Sequence, residues 1–232
     1  MICIPITAKT HAGAMRAIEH SAVAANVIEL RMDLIHKGRL VELIEKVRAC
    51  DESLEVLVTH RPQAGGDSSQ ERSRIDCLKE AVGLGADYVD VELQTDRGLR
   101  QDLIETIARL QRRTALIVSH HDYERTPPLK TLRLLFQKCV RAGADIVKIV
   151  TWAESPQDNL RVLGLMDDAE REDIDLINFC MGPQGRISRI ASPMLGSYLS
   201  YVSLRRGGQS ASGQLTITEM NKIMDILRRD SW

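Results

Sequence analysis

The sequence predicts an α/β fold and, within that class, a (β/α)8 TIM barrel formed as one domain over residues 1–232. Strand-like apolar stretches alternate with helix-like amphipathic stretches along the whole chain. Eight such pairs fit in 232 residues, a length at which α/β barrels occur as single units. A Gly-Ala-Asp turn that ends a helix and opens a strand occurs twice, at Gly85 and Gly143, which indicates a repeated strand–helix unit.

Each predicted strand is a short apolar stretch rich in β-branched residues, which is typical of a parallel strand covered by helices on both faces. The strands are predicted at residues 2–7, 27–33, 56–61, 88–93, 115–122, 146–152, 175–181 and 198–204. The intervening helices carry apolar residues at intervals of three and four, as at Leu40, Leu43, Ile44 and Val47. The helices are predicted at residues 13–25, 40–50, 69–84, 98–110, 129–142, 156–170, 190–195 and 218–229.

Prolines mark two of these helix starts, in Thr126-Pro127-Pro128 and in Ser155-Pro156, because proline is tolerated in the first turn of a helix. A doubly wound open sheet is the second candidate for the fold. No GxGxxG motif follows the first strand, which weakens that alternative.

The charge balance excludes two classes of partner. The formal net charge is −1, from 31 basic and 32 acidic residues, so no overall field attracts nucleic acid or an anionic membrane. We therefore expect a small-molecule partner, with neither nucleic-acid nor membrane binding.

The five cysteines are scattered along the chain and form no CxxC pair. This pattern predicts reduced thiols in a cytoplasmic protein and argues against a zinc site or a disulfide framework. The first residues lack the basic region and long apolar run of a signal peptide, and no stretch reaches the length that spans a bilayer.

Lys148 is the residue around which the candidate site is organised, because it lies inside the apolar predicted strand 146–152. Burial removes water from an ammonium group and so favours the neutral amine, which is a nucleophile for a carbonyl carbon. A lysine that extends to solvent or pairs with an acid at the strand end is the alternative reading of this position.

Polar residues gather at the carboxyl ends of the other predicted strands, where barrel enzymes carry their active sites. Alternation along the second strand places Glu29, Arg31 and Asp33 on one face. Other polar strand ends are Thr59-His60-Arg61, Asp90-Val91-Glu92 and Ser119-His120-His121-Asp122. Taken singly these are ordinary structural residues, but together around one buried lysine they predict an active site.

These residue types imply a mechanism. A protonated imine on Lys148 withdraws electrons, so a histidine can remove a proton α to it and leave an enamine. The enamine expels a β-hydroxyl, to which the same histidine returns the proton. A guanidinium such as that of Arg189 suits a carboxylate, which it binds through two parallel hydrogen bonds. Of the adjacent His120 and His121, alternation allows one to face the barrel axis.

Seven motifs along the chain resemble type I 3-dehydroquinate dehydratase, in the order of that family. They are Glu29-Leu-Arg-Met-Asp33, Thr59-x-Arg61, Asp90-Val-Glu92, His121-Asp-Tyr-x-x-Thr126-Pro127, Gly143-Ala-Asp-Ile-Val-Lys148, Met181-Gly-x-x-Gly-Arg-Ile-Ser-Arg189 and Ser210-Ala-x-Gly-Gln214. The resemblance implies a Schiff-base barrel enzyme of the shikimate pathway. Such an enzyme converts 3-dehydroquinate to 3-dehydroshikimate by loss of water, without metal or cofactor.

The resemblance also implies a role for each site residue. Lys148 would form the imine, His121 would be the general acid/base and Glu92 would orient His121. The implied substrate-binding residues are Glu29, Arg31 and Arg61 on the polyol side, Arg189 for the carboxylate, Ser210 and Gln214 for other oxygens, and Met181 against the ring. By analogy with relatives, a homodimer is expected.

Three positions depart from the family pattern. The loop at residues 62–66 keeps its glycines but lacks an acid, Ser212 stands where the family has proline, and Pro5 stands where a serine is often found.

A class I aldolase is the alternative function, because such enzymes also form an imine on a barrel lysine. Aldolase sites hold a phosphate in glycine-rich loops after strands seven and eight, and Gly182 and Gly207-Gly208 leave this possible. A non-catalytic protein of the same fold is the second alternative. It would lack one of the key groups, and none is missing.

Overall fold

The computed structural model describes residues 1–62, 67–111 and 113–228. Within these residues the strands are β1 Ile2–Ile6, β2 Val27–Arg31, β3 Glu55–Thr59, β4 Tyr88–Glu92, β5 Ala115–His121, β6 Ile146–Trp152, β7 Asp175–Met181 and β8 Ser200–Tyr201. All of their pairings are parallel, and the order in the sheet is β7-β6-β5-β4-β3-β2-β1-β8. The Tyr198 amide, just before β8, donates to the Leu176 carbonyl of β7 at 2.9 Å. This contact brings the two ends of the sheet together, so the predicted (β/α)8 barrel is confirmed.

Helices follow the strands along the chain. They are α1 His11–Ala22, α2 Leu40–Cys50, α3 Ser68–Gly83, α4 Arg97–Arg109, α5 Leu129–Arg141, α6 Gln157–Leu163, α7 Met166–Glu172, α8 Arg186–Met194 and α9 Ile217–Arg228, with a short 3-10 turn at Pro183–Gly185. Helices α5 and α6 begin just after Pro128 and Pro156, as the prolines predicted. The Thr126 hydroxyl does not cap α5, since it donates to the Trp152 carbonyl at 2.7 Å. No helix in the described part of the chain is long and apolar enough to cross a membrane.

Side chains alternate along each strand between two apolar regions. On β6, Val147 and Ile149 point outward and pack with the helices, whereas Ile146 and Val150 point into the barrel. The inward-facing residues near the amino ends of the strands are apolar, and the polar ones lie nearer the carboxyl ends. Parallel pairing aligns these carboxyl ends at one mouth of the barrel, where the polar side chains meet.

The predicted helix at residues 156–170 is wrong, because the chain forms two short helices there. Gly164 follows α6 and Leu165 precedes α7. Glycine in a helix interior costs about 1 kcal/mol relative to alanine, which favours a break at this position. The second helix then continues to Glu172 and ends at Asp173, whose φ of 51° is left-handed.

Strand β8 is shorter than the predicted strand 198–204, and Pro5 explains why. The Ile2 carbonyl accepts from the Asn26 amide, just before β2, whereas the Cys3 carbonyl accepts from the Val202 amide, just after β8. The backbone N–H and C=O groups of odd-numbered β1 residues therefore point towards β8. Pro5 therefore faces β8 without an N–H to donate, and pairing of β8 with β1 ends at Tyr201. Strand β2 is also shorter than predicted, because the amides of Leu34 and Ile35 turn back to the Arg31 carbonyl.

Candidate active site

Lys148 lies inside the barrel on β6 and is 3% exposed. Its Nζ is 3.0 Å from Asp90 Oδ2 and 3.0 Å from the Tyr201 hydroxyl. The sequence left two interpretations of this lysine open, a buried amine or a lysine paired with an acid. The structure combines them, since Lys148 is buried and also has Asp90 as an acidic partner.

Asp90 is the centre of a buried charge network. Its two carboxylate oxygens accept from the two terminal nitrogens of Arg61, and Oδ1 also accepts from the Ser119 hydroxyl at 2.6 Å. Burial alone would raise the pKa of Asp90, but the charges of Arg61 and Lys148 hold it well below its usual range. Asp90 therefore stays ionised and interacts with Lys148 as a fixed negative charge.

His121 lies at the end of β5 and lines the same cavity as Lys148. Its Nδ1 is 3.3 Å from Glu92 Oε1, within ion-pair distance but without hydrogen-bond alignment. Burial and the nearby Arg61 charge lower the pKa of His121 to about 4, although Glu92 opposes this shift. The imidazole is consequently neutral near pH 7 and can accept a proton.

His120 faces the opposite side of β5. Its Nδ1 lies 2.9 Å from the Gln94 side-chain amide, and the residue borders grooves on the outside of the barrel. The prediction that His121 is the inward-facing histidine is therefore confirmed.

Arg189 is a buried cation that lacks an acidic partner among the described residues. It lies on α8, is 3% exposed, and its Nε has no hydrogen-bond acceptor in the described structure. One terminal nitrogen donates to the Ser212 carbonyl at 3.3 Å, and the guanidinium carbon lies 4.3 Å from the Phe179 ring centroid. Burial lowers the pKa of Arg189 to about 10, so it remains charged at neutral pH. A buried guanidinium with an open donor is suited to an anionic group of a ligand.

Hydrogen bonds between β7 and α8 hold Arg189 in place. The Ser188 hydroxyl accepts from the Cys180 amide at 2.8 Å, and the Ser188 amide donates to the Asn159 side chain at 3.0 Å. One turn later the Ser192 hydroxyl donates to the Asn178 carbonyl at 2.5 Å. These buried polar groups are satisfied by one another, which fixes the helix against the strand.

The segment after β8 contributes Ser210 and Gln214. The Gln214 Oε1 accepts from the Ser210 amide at 2.8 Å and lies 3.2 Å from its hydroxyl, which leaves the buried Gln214 Nε2 without an acceptor. Gly213 has a φ of 81° and packs against Gly182, so that a Cβ atom there would lie 2.3 Å from the Gly182 oxygen. Glycine is therefore required at position 213 for this segment to close over the site.

The structure describes two of the three departures from the family pattern, Ser212 and Pro5. Ser212 contributes its carbonyl oxygen, which any residue could supply, and its side chain is exposed. Pro5 lies in β1 and acts on the length of β8. The loop that lacks an acid lies, apart from Pro62, outside the described residues.

Glu29, Arg31 and Met181 complete the predicted set. The Thr59 hydroxyl donates to Glu29 at 2.7 Å, and Arg31 makes two hydrogen bonds to Asp33. Met181 is buried beside Phe179 and Tyr201 in the barrel interior. All predicted site residues except Glu92 line one cavity of about 270 Å3 at the barrel mouth, and Glu92 contacts His121 and Arg61.

Comparison with known proteins agrees with this geometry. The family model of type I 3-dehydroquinase matches residues 2–231 of the chain. The chain belongs to the type I 3-dehydroquinase family. A 3-dehydroquinate dehydratase from Desulfotalea psychrophila is 36% identical over 224 residues, covering 96% of each chain. Another from Pyrococcus abyssi is 34% identical over 227 residues and covers 98% of each.

A solved structure of 3-dehydroquinate dehydratase from Geobacillus kaustophilus superposes with a TM-score of 0.85 at 27% identity. The match covers all of this chain and 92% of that one. The family prediction made from the motifs is therefore confirmed.

Several site residues of this type I 3-dehydroquinase were missed by the sequence analysis. Asp90 was quoted within a motif but given no role, and Tyr201, Phe179 and Ser119 were not singled out. Asp90 could have been found, since it is a carboxylate within an apolar strand on the same face as Glu92. Tyr201 gave no such signal, because an aromatic residue in a strand is ordinarily part of the core.

The low pKa of His121 gives a direct prediction. In an NMR titration of the histidine ring protons, the resonance that disappears in His121→Ala should have a midpoint of about 4, well below the ordinary 6.5. Glu92→Gln should lower this midpoint further, because the Glu92 carboxylate stabilises the imidazolium. A midpoint near 6.5 for His121 would contradict the burial and charge that surround it.

Proposed function

We propose that this chain catalyses the loss of water from 3-dehydroquinate to give 3-dehydroshikimate, through an imine on Lys148. Family membership supports the reaction. The observation that carries the residue roles is the arrangement of one cavity. It is lined by a buried lysine, a neutral histidine and a buried arginine that has no acidic partner among the described residues.

Lys148 is the nucleophile in this proposal. Its neutral amine attacks the ketone carbon, and loss of the carbonyl oxygen as water leaves a protonated imine. Asp90 remains ionised 3.0 Å from Nζ and so stabilises the positive charge of the imine. The protonated imine in turn increases the acidity of the adjacent C–H bond.

His121 takes that proton and then returns it to the departing β-hydroxyl. It is neutral before the reaction because its pKa is about 4, and the imidazolium that forms is stabilised by Glu92 at 3.3 Å. One imidazole thus acts as base and then as acid, which balances the protons of the elimination.

Arg189 binds the substrate carboxylate in this proposal, because its Nε lacks an acceptor and the Phe179 ring forms an apolar wall beside it. Gln214 Nε2 is the second open donor. Glu29, Arg31, Arg61 and Ser210 border the remaining polar part of the cavity, where hydroxyl groups would be bound, and Met181 packs against the ring.

The glycines that left an aldolase possible do not form a phosphate cradle. The Gly182 amide donates to the Ser212 carbonyl at 3.1 Å, the Gly207 amide to the Gln209 side chain at 2.8 Å and the Gly208 amide to the Arg205 carbonyl at 3.1 Å. Because these amides are already hydrogen-bonded within the chain, they support the dehydratase over the aldolase.

A cytoplasmic location fits five free cysteines, three of them buried. The homodimer expected by analogy stays a prediction.

Lys148→Met should abolish both turnover and covalent trapping, since no amine remains to form the imine. The fold should persist, because Asp90 keeps Arg61 and Ser119 as partners. The measurement is borohydride reduction in the presence of 3-dehydroquinate, followed by mass mapping of peptides. Lys138→Met, at an exposed position on α5, is the control and should still be trapped on Lys148. An adduct on any other lysine in the wild type would contradict the proposal.

His121→Ala should lower kcat by about 100- to 10,000-fold, the usual contribution of a positioned acid–base group. The variant should still form a reducible adduct, because water can partly replace the histidine in imine formation. The measurement pairs enone absorbance with borohydride trapping. His120→Ala should stay within about threefold of wild type, since its ring contacts Gln94 outside the barrel. A normal rate in His121→Ala would show that another residue is the base.

Arg189→Ala should raise KM by at least about 100-fold, because it removes two charge-assisted hydrogen bonds made in both the ground and transition states. The kcat should fall much less. Arg186→Ala, one turn earlier on α8 and exposed to solvent, is the matched control and should leave KM unchanged. An unchanged KM in Arg189→Ala would show that the carboxylate is bound elsewhere.

A further inference from the structure

Tyr201 lies next to the reacting nitrogen, at the end of β8 inside the barrel. Its hydroxyl is 3.0 Å from Lys148 Nζ, and Nζ lies 4.3 Å from the centroid of the Tyr201 ring. The ring also contacts Phe179, with the two centroids 5.8 Å apart. The side chain thus fills the barrel interior, but packing alone does not require a hydroxyl at this position.

Two acceptors surround Nζ from different strands. Asp90 Oδ2 lies on β4 and the Tyr201 hydroxyl on β8, each 3.0 Å from Nζ. A neutral amine has two N–H bonds and one lone pair at tetrahedral angles. When both N–H bonds donate to these two acceptors, the direction of the lone pair is fixed.

We propose that the Tyr201 hydroxyl, together with Asp90, aims the lone pair of the Lys148 amine into the cavity and so accelerates formation of the carbon–nitrogen bond. This inference rests on the proposed imine mechanism and adds a positioning residue to it.

The hydrogen bond from Nζ to Tyr201 strengthens during the attack. The nitrogen lone pair forms the N–C bond while the carbonyl π pair moves to oxygen, so nitrogen gains positive charge and its N–H bonds become better donors. One nitrogen proton then passes to that oxygen and gives the carbinolamine. A second proton, from solvent, then binds the carbinolamine oxygen. Water leaves with the electron pair of the C–O bond, and the nitrogen lone pair forms the C=N bond. Hydrolysis of the imine returns that proton.

Tyr201 neither gains nor loses a proton in these steps. Burial raises the pKa of Tyr201 well above its ordinary value, which keeps the phenol neutral. The finished iminium has one N–H bond and no lone pair, so it can donate to only one of the two acceptors, and the Asp90 carboxylate is the stronger one. The contact of Nζ with Tyr201 therefore belongs to the attack and not to the later elimination, which separates this role from a general effect on the site.

Tyr201→Phe tests the proposal, because it removes the hydroxyl and keeps the ring against Phe179. In a single turnover with 3-dehydroquinate, the rate of borohydride-trappable adduct formation should fall roughly 10- to 100-fold, as expected for one hydrogen bond to a charged group. The rate at which the preformed adduct develops enone absorbance should stay within about twofold of wild type. The melting temperature should change little, since the ring and its burial remain.

Tyr198→Phe is the matched control. The Tyr198 hydroxyl is also hydrogen-bonded, to the Tyr88 hydroxyl at 2.8 Å, but this pair is not among the residues that line the site cavity. This variant should keep both rates.

Adduct formation at the wild-type rate in Tyr201→Phe would overturn the inference and leave the proposed function intact. Equal slowing of both steps together with a lower melting temperature would also overturn it, in favour of a packing role. A wild-type chain that forms neither adduct nor product would instead remove the proposed function, and the inference with it.

Discussion

The buried contact of Asp90 with Arg61 and Lys148 is the interaction on which the site depends. Asp90 is 1% exposed and lies between two cations inside the barrel, where water cannot replace a lost partner. Removing Asp90 would break the buried pairs of both cations at once, a kind of change that costs about 3–5 kcal/mol. The three side chains come from β3, β4 and β6, or from the residues just after them. Their charges therefore hold neighbouring parts of the barrel mouth in one arrangement, and they fix the position of the Lys148 amine.

Arg61 and Arg189 differ in how many of their donors are already engaged within the protein. Arg61 is engaged by both oxygens of Asp90, by the Ser119 hydroxyl and by Glu92 at 3.4 Å, so few of its donors remain for a ligand. Arg189 has Phe179 and a backbone carbonyl beside it and an open Nε. The Arg61 charge lowers the pKa of His121. In the proposed mechanism Arg61 therefore acts through its charge, and Arg189 binds the anion.

Particular residues show how much the sequence could predict. Strand alternation is a local property, so it placed Glu29 and Arg31 on one face without knowledge of the tertiary structure. It also allowed only one of His120 and His121 to face the barrel axis, and the family resemblance indicated His121. The partners of Lys148 depend on where β4 and β8 lie around the barrel relative to β6, which no local pattern encodes. Tyr201 was missed for that reason, whereas Asp90 gave a local signal as a carboxylate within an apolar strand. The length of β8 depended on Pro5, nearly 200 residues away in the chain. The break at Gly164 was likewise hidden, because the apolar period continues through it.

The burial of Arg189 explains why helix α8 needs its hydrogen bonds to β7. A buried guanidinium without an acid loses hydration that the Ser212 carbonyl and the Phe179 ring replace only in part, and burial accordingly lowers its pKa to about 10. Helix α8 could reduce that cost by moving outward, since Arg189 would then reach water. The hydrogen bonds of Ser188 with Cys180 and of Ser192 with Asn178 oppose this movement, because each would leave a buried polar group unpaired. The strand–helix contacts therefore hold the cation in the cavity before a ligand arrives, and an anion that binds there recovers the interaction energy that folding left unsatisfied.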